Sequence, residues 1–191
     1  MKVLAEREDG IRVLRMESQE DAEPWRAAFA GSYQAIWAEP PYSERWFPDE
    51  AEGVLRRNLS VAENQTLLAV RESGVVAGFA MGCPVSAFHV VVREIRGLLP
   101  IEATWYFSEL GVLEQYRGRG LGHQLVELRL AALPRDRYPN VLMRISASKG
   151  GAYEMYLRMG FVDTGVYTEV PSRREDGSTR TDRRVYLSLT R

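Results

Sequence analysis

One stretch of the chain has residue types and spacing suited to binding an anion. Glu109-Leu110-Gly111-Val112-Leu113 reads as the end of a strand, and Glu114-Gln115-Tyr116-Arg117-Gly118-Arg119-Gly120-Leu121-Gly122 turns directly into a helix. A helix start leaves about four backbone N–H groups without intrahelical partners. Glycines at 118, 120 and 122 let a ligand approach those groups, and the helix dipole favours a negative one, usually a phosphate or diphosphate. Arg117 and Arg119 add positive charge at the same place. Packing alone can also produce a glycine-rich turn, so the spacing leaves that alternative open. A nucleotide-triphosphatase loop fits worse, because no Gly-Lys-Ser/Thr follows. A dinucleotide fingerprint also fits worse, because the spacing is wrong and a meander precedes the strand.

The elements around this turn read as one domain, residues 1–191. Ile11–Met16 is a strand and Ala22–Trp37 a helix, stopped by Glu39-Pro40-Pro41-Tyr42. Pro48 starts a second helix reaching Val61. Thr66–Val70 and Val75–Met81 form a hairpin about Glu72-Ser73-Gly74. Residues 84–100 read as an insertion in which Val90–Leu99 is a strand or a short helix. Ala103–Leu113 is a long strand. In the helix Leu121–Leu133, Leu121, Leu125, Leu128 and Ala132 share a face, and Pro134 ends it. Val141–Ala147 is a strand, Gly151–Met159 a short helix, and Phe161–Val170 and Arg184–Leu189 two closing strands. The polar turn Arg173–Asp182 joins the last two. This order implies a mixed α/β (α+β) sheet with helices packed on it.

Arg117-Gly118-Arg119-Gly120-Leu121-Gly122, with Glu109-Leu110-Gly111-Val112 before it and Leu125 and Val126 after it, resembles the Arg/Gln-x-x-Gly-x-Gly/Ala motif of the GCN5-related N-acetyltransferase (GNAT) family. Ala152-Tyr153-Glu154-Met155-Tyr156-Leu157-Arg158-Met159-Gly160-Phe161 resembles the family's second signature, a helix with a tyrosine and a closing Gly-Phe. The element order agrees from Ile11 to the end. The resemblance implies a mostly antiparallel central sheet with its fourth and fifth strands parallel and splayed, Trp105–Leu113 and Val141–Ala147, and helices on both faces. It implies acetyl-CoA as cofactor. The diphosphate would lie on the amides around Arg117, Gly118, Arg119, Gly120, Leu121 and Gly122. The pantetheine would run along Leu110, Gly111, Val112 and Leu113. A backbone N–H near Gly111–Leu113 would serve the oxyanion. Many members carry an asparagine where this chain has Lys149. That puts the usual pantetheine contact in doubt, and Ser148 or Lys149 itself is a replacement. Tyr153 is a further cofactor contact.

Transfer to an amine needs the amine neutral, and an alkyl ammonium has a pKa of about 10.4. Glu109 is the first candidate for general base, ahead of Glu102 and Glu114. A packing or ion-pair role is the alternative. Tyr156 occupies the position of the family's tyrosine acid, which would protonate the departing thiolate; Tyr153 is the weaker candidate. The family builds its acceptor pocket from the first two helices and their loop. That assigns acceptor contacts to Tyr33, Trp37, Tyr42 and Trp46, in a loop whose acids are Glu39 and Glu44. Aromatic walls with carboxylates suit a cationic or polyhydroxylated amine.

The bulk composition bounds the rest. With 191 residues, 45 % hydrophobic and 27 % charged, the chain can bury a core. A formal net charge of −1 gives no overall attraction to nucleic acid or an anionic membrane. Cys83 is the single cysteine, and His89 and His123 are the two histidines, so no metal site is expected. The N-terminus lacks a signal-like apolar run, and no segment is apolar enough to span a bilayer, so a cytoplasmic location is expected. The expected partner is a small-molecule amine, with monomer against homodimer left open. The competing readings are a protein or peptide N-acetyltransferase and a non-catalytic CoA-binding sensor.

Overall fold

The computed structural model describes residues 1–191. Its strands are β1 (Lys2–Glu6), β2 (Ile11–Met16), β3 (Gln65–Arg71), β4 (Val76–Pro84), β5 (Thr104–Val112), β6 (Asn140–Ser146), β7 (Val162–Arg173) and β8 (Thr179–Thr190). Its helices are α1 (Gln19–Ala22), α2 (Arg26–Ala38), α3 (Pro48–Ser60), α4 (His89–Glu94), α5 (Leu121–Ala131) and α6 (Gly151–Arg158). One sheet runs β1-β2-β3-β4-β5-β6-β8-β7. Every pair is antiparallel except β5 with β6. The expected mixed sheet with one splayed parallel pair is therefore present. That pair is the fifth and sixth strands, because β1 adds an edge strand ahead of those read from the sequence.

Other departures have local causes. Pro24 breaks the first helix into α1, a single 3-10 turn at Glu23–Trp25, and α2. Residues 84–100 hold α4 between two 3-10 turns, so the strand alternative for Val90–Leu99 is overturned. The closing strands reach further than expected, and the polar turn tightens to Arg174–Ser178, closed by the Arg174 N–H on the Ser178 carbonyl at 2.8 Å.

Helices α2 and α3 bury Phe29, Tyr33, Ile36, Trp37, Ala51, Leu55 and Leu59 against one face of β2, β3 and β4. Val91 of α4 covers Tyr106, Leu142 and Tyr186 farther along the sheet. Helices α5 and α6 cover the opposite face through Leu121, Leu125, Val126, Tyr153 and Tyr156.

Two features open the centre of the sheet. Pairing of β5 with β6 runs from Thr104↔Asn140 to Phe107↔Met143 and stops, while both strands continue. On its other side β5 carries a bulge: Met81 pairs Glu109 and Cys83 pairs Tyr106, so three steps on β5 face two on β4. An extra residue bends its strand and increases the local twist. It turns β5 away from β6 at Ser108 and Glu109. Gly82 is required opposite the bulge, since a Cβ there would lie 2.7 Å from the Trp105 Nε1 and 2.8 Å from the Tyr106 carbonyl.

Candidate active site

The glycine-rich turn has the form expected of an anion cradle. Gly118 and Gly120 adopt φ of 71° and 78°, the left-handed region that favours glycine. Nothing lies within 4 Å of where a Cβ would stand at either. The N–H groups from Gly118 to His123 have no partner in the protein, and no side chain caps α5. The arginines of the turn are partly engaged. Arg117 pairs with Glu39 at 2.5 Å and donates to the Val112 carbonyl at 2.8 Å. The Arg119 carbonyl accepts from Arg7 at 2.7 Å.

The strand following the bulge corrects part of the expected cofactor contact. Leu113 donates its N–H to the Ala77 carbonyl at 3.0 Å. Antiparallel alternation then turns Gly111 toward β4 and leaves Leu110 and Val112 facing the gap toward β6. Gly111 and Leu113 are thus spent on the sheet. Their lack of free amides excludes them as donors to a cofactor or an oxyanion. Across the gap, Ala147 donates to the Arg183 carbonyl at 3.0 Å, so Arg144 and Ser146 direct their backbone groups toward β5. Gly111 has a packing role instead: a Cβ there would lie 2.6 Å from the Phe79 ring.

Both residues that could replace the family's asparagine have partners within the protein. Lys149 sits at φ 55°, its ammonium 3.8 Å from Asp163 and over the Tyr153 ring. The Ser148 hydroxyl accepts from Ser146 at 3.0 Å, and Tyr153 donates to Asp163 at 2.8 Å. Tyr153 is largely buried, and its hydroxyl is engaged by Asp163.

Glu109 projects into a cavity of about 740 Å³ on the face covered by α2, α3 and α4. Tyr33, Trp37, Tyr42 and Trp46 all line it, so the four aromatic positions taken from the sequence converge on one space. Tyr33 stacks on Phe79 and meets Trp46 edge to face, and Trp37 meets Tyr42 edge to face. Glu109 accepts one long bond, 3.4 Å, from the Tyr33 hydroxyl. Burial pushes its carboxyl up to about 7, with Arg184 pulling down and Glu44 pushing up. A group at that value is poised to take a proton near neutral pH.

Tyr156 lies beneath the gap on the α6 side. Its side chain is 1 % exposed, its phenol is raised by burial, and it accepts from Arg129 at 3.4 Å. Arg129 was not singled out by sequence, although it falls three and four residues after buried Val126 and Leu125. It is fully buried without a carboxylate partner and stacks 3.8 Å over the Phe107 ring. It donates to the carbonyls of Met81 and Glu109 at 2.9 and 3.1 Å. One guanidinium thus ties both sides of the bulge to the Tyr156 hydroxyl.

The charges of the cavity differ from those expected. Of the two loop acids, Glu39 is held by Arg117, and Glu44, 7 % exposed, is held by Arg184 and by the Trp46 indole N–H at 2.9 Å. Neither is free for a cationic substrate. Arg45, Arg57, Arg144, Arg173 and Arg184 also line the cavity, with Glu44 and Glu109 as its carboxylates. The hairpin of β7 and β8, read from sequence as a solvated tip, forms part of the wall. The Arg45 N–H donates to the Arg173 carbonyl at 2.7 Å, the Arg173 guanidinium returns a bond to the Arg45 carbonyl at 3.2 Å, and Arg173 pairs with Glu50 at 2.6 Å. These contacts roof the cavity between the α2–α3 loop and the hairpin.

Of the remaining residues, Cys83 and His89 border the cavity and His123 lies on α5. Cys83 is buried, and burial pushes its thiol up to about 12. His123 pairs with Glu127 on α5 at 3.2 Å. His89 reaches the cavity wall from α4. No three His, Cys, Asp or Glu side chains are grouped for a metal ion. No helix is long and apolar enough to cross a membrane.

The family model described as the acetyltransferase (GNAT) family matches residues 22–161. Solved structures share the fold at low identity. A ribosomal-protein-S18-alanine N-acetyltransferase from Escherichia coli is 17 % identical with a TM-score of 0.63, covering 94 % of this chain and 93 % of its own. A ribosomal-protein-alanine N-acetyltransferase from Brucella melitensis is 19 % identical with a TM-score of 0.61, covering 93 % and 99 %. An N-acetyltransferase from Staphylococcus aureus Mu50 is 16 % identical with a TM-score of 0.63, covering 94 % and 98 %. A search of curated protein sequences finds no match.

Proposed function

Because the chain belongs to the GNAT acetyltransferase family, whose acyl donor is acetyl-CoA, we propose that it transfers the acetyl group directly to a primary amine of a small molecule. The observation that carries this reading is the roofed cavity of about 740 Å³ with Glu109 in its wall. That volume falls among small-molecule sites. The α2–α3 loop and the β7–β8 hairpin meet at its wall through Arg45 and Arg173.

The residues present fit the cofactor. The unpartnered amides from Gly118 to His123 suit its diphosphate, and the backbone groups of Leu110, Val112, Arg144 and Ser146 suit the amides of its pantetheine arm. When bound, acetyl-CoA supplies an acetyl thioester activated toward attack. Glu109 takes a proton from the acceptor ammonium, directly or through water. The Leu110 or Val112 N–H donates to the oxygen that gains charge during attack. Tyr156 donates a proton to the departing sulfur, and the cationic Arg129 behind it eases that loss. Tyr33 and Trp46 hold the acceptor and exclude water. These roles follow the family pattern onto the residues that occupy it.

A peptide reading has one support, the fold shared with ribosomal-protein alanine N-acetyltransferases, and identities of 17 % and 19 % carry fold alone. Thiol release from acetyl-CoA, measured with free amines and with short peptides, separates the two. Free amines are expected to drive release, and Glu109→Gln to slow it by about a hundredfold or more. Turnover of peptides alone would replace this reading with the other. Binding of acetyl-CoA without release in any mixture would support the sensor.

A further inference from the structure

Resting on the reading that the cavity holds the acceptor, we infer that the acceptor carries an anionic oxygen group, a carboxylate or a phosphate, beside its amine, and that Arg57 recognises it. The charge inventory motivates this. Glu44 is consumed by Arg184, Arg173 is paired with Glu50, and Arg144 with Glu94. Arg57, an exposed residue, has neither an ion pair nor a side-chain hydrogen bond in the protein, and it lines the cavity with Val54 and Asn58 of α3 and Val61 just beyond it. Arg45 meets a backbone carbonyl and the Phe47 ring but no carboxylate. The cavity therefore holds surplus positive charge, with Glu109 as its one unpaired carboxylate.

An acceptor with ammonium toward Glu109 and an anion toward Arg57 matches this charge distribution, whereas a polycation would meet like charge.

Matched pairs test this. The common α-amino acids are compared with their α-amides, and O-phosphoethanolamine with ethanolamine, by kcat/KM for thiol release. The anionic member of at least one pair is expected to exceed its neutral partner about tenfold or more, and the arm that responds separates carboxylate from phosphate. Arg57→Gln is expected to bring that ratio near one through KM, while Arg56→Gln, on the same helix but outside the cavity lining, keeps it. Preference for neutral or multiply cationic amines overturns the inference and leaves the proposed reaction standing. An Arg57→Gln enzyme with an unchanged ratio removes Arg57 from recognition. No turnover of any free amine, with peptides acetylated, overturns the proposed reaction and this inference together.

Discussion

Glu109 makes the site measurable because its environment works against its charge. Burial raises the carboxyl from the ordinary 4.5 to about 7, while Arg184 on β8, Arg144 on β6 and the Tyr33 hydroxyl on α2 oppose the rise and Glu44 adds to it. With Glu109 as the proposed base the reactive form is the carboxylate, so kcat/KM is expected to climb with pH and level off above an apparent pKa near 7. The same shift affects stability with a definite sign. A folded pKa above the unfolded one favours the folded state at low pH, and that contribution is lost as pH rises through about 7. Carrying the buried charge at pH 8 costs on the order of 3 kcal/mol. Glu109→Gln is therefore expected to melt higher than the native protein at pH 8, with the difference closing by pH 5. Equal melting at pH 8 would mean that the carboxylate is solvated. Tyr156→Phe is expected to lower kcat while leaving the calorimetric affinity for CoA unchanged; an unchanged kcat would confine Tyr156 to packing.

At the scale of elements, the site depends on the bulge in β5 and on the turn into α5. The turn was legible because its signal is local: alternating glycines at a strand-to-helix junction need no distant residue to be read. The bulge was not legible, since an extra residue shows only against the register of β4, where Gly82 faces it. The edge strand β1 escaped because Lys2–Glu6 has no buried position to set an alternation. Helix α4 remained ambiguous because six residues without a side-chain cap give little period to follow. Arg129 was invisible as a clamp because an arginine on a helix ordinarily reads as solvated. Arg129→Met is expected to leave the Met81 and Glu109 carbonyls without their donor and to lower unfolding free energy by about 3 kcal/mol in a denaturant titration. A loss within experimental error would show that the bulge holds without it.

At the scale of the molecule, one sheet presents different surfaces around the gap. The α5 end presents unpartnered amides, and the opposite face holds the roofed cavity, with Glu109 between them. The aromatic positions Tyr33, Trp37, Tyr42 and Trp46 could be grouped from sequence because they lie on one helix and its loop. The arginines could not, since Arg57, Arg144, Arg173 and Arg184 come from α3, β6, β7 and β8 and meet only after folding. Their convergence motivates the anionic group inferred on an acceptor that the sequence reads as a cationic or polyhydroxylated amine. A crystal structure of the protein with CoA is the most direct measurement. The expected result is the diphosphate against the amides of residues 118–123, with the thiol in the gap between β5 and β6 facing Glu109. CoA seated elsewhere, or a gap that stays closed over it, would contradict the assignment.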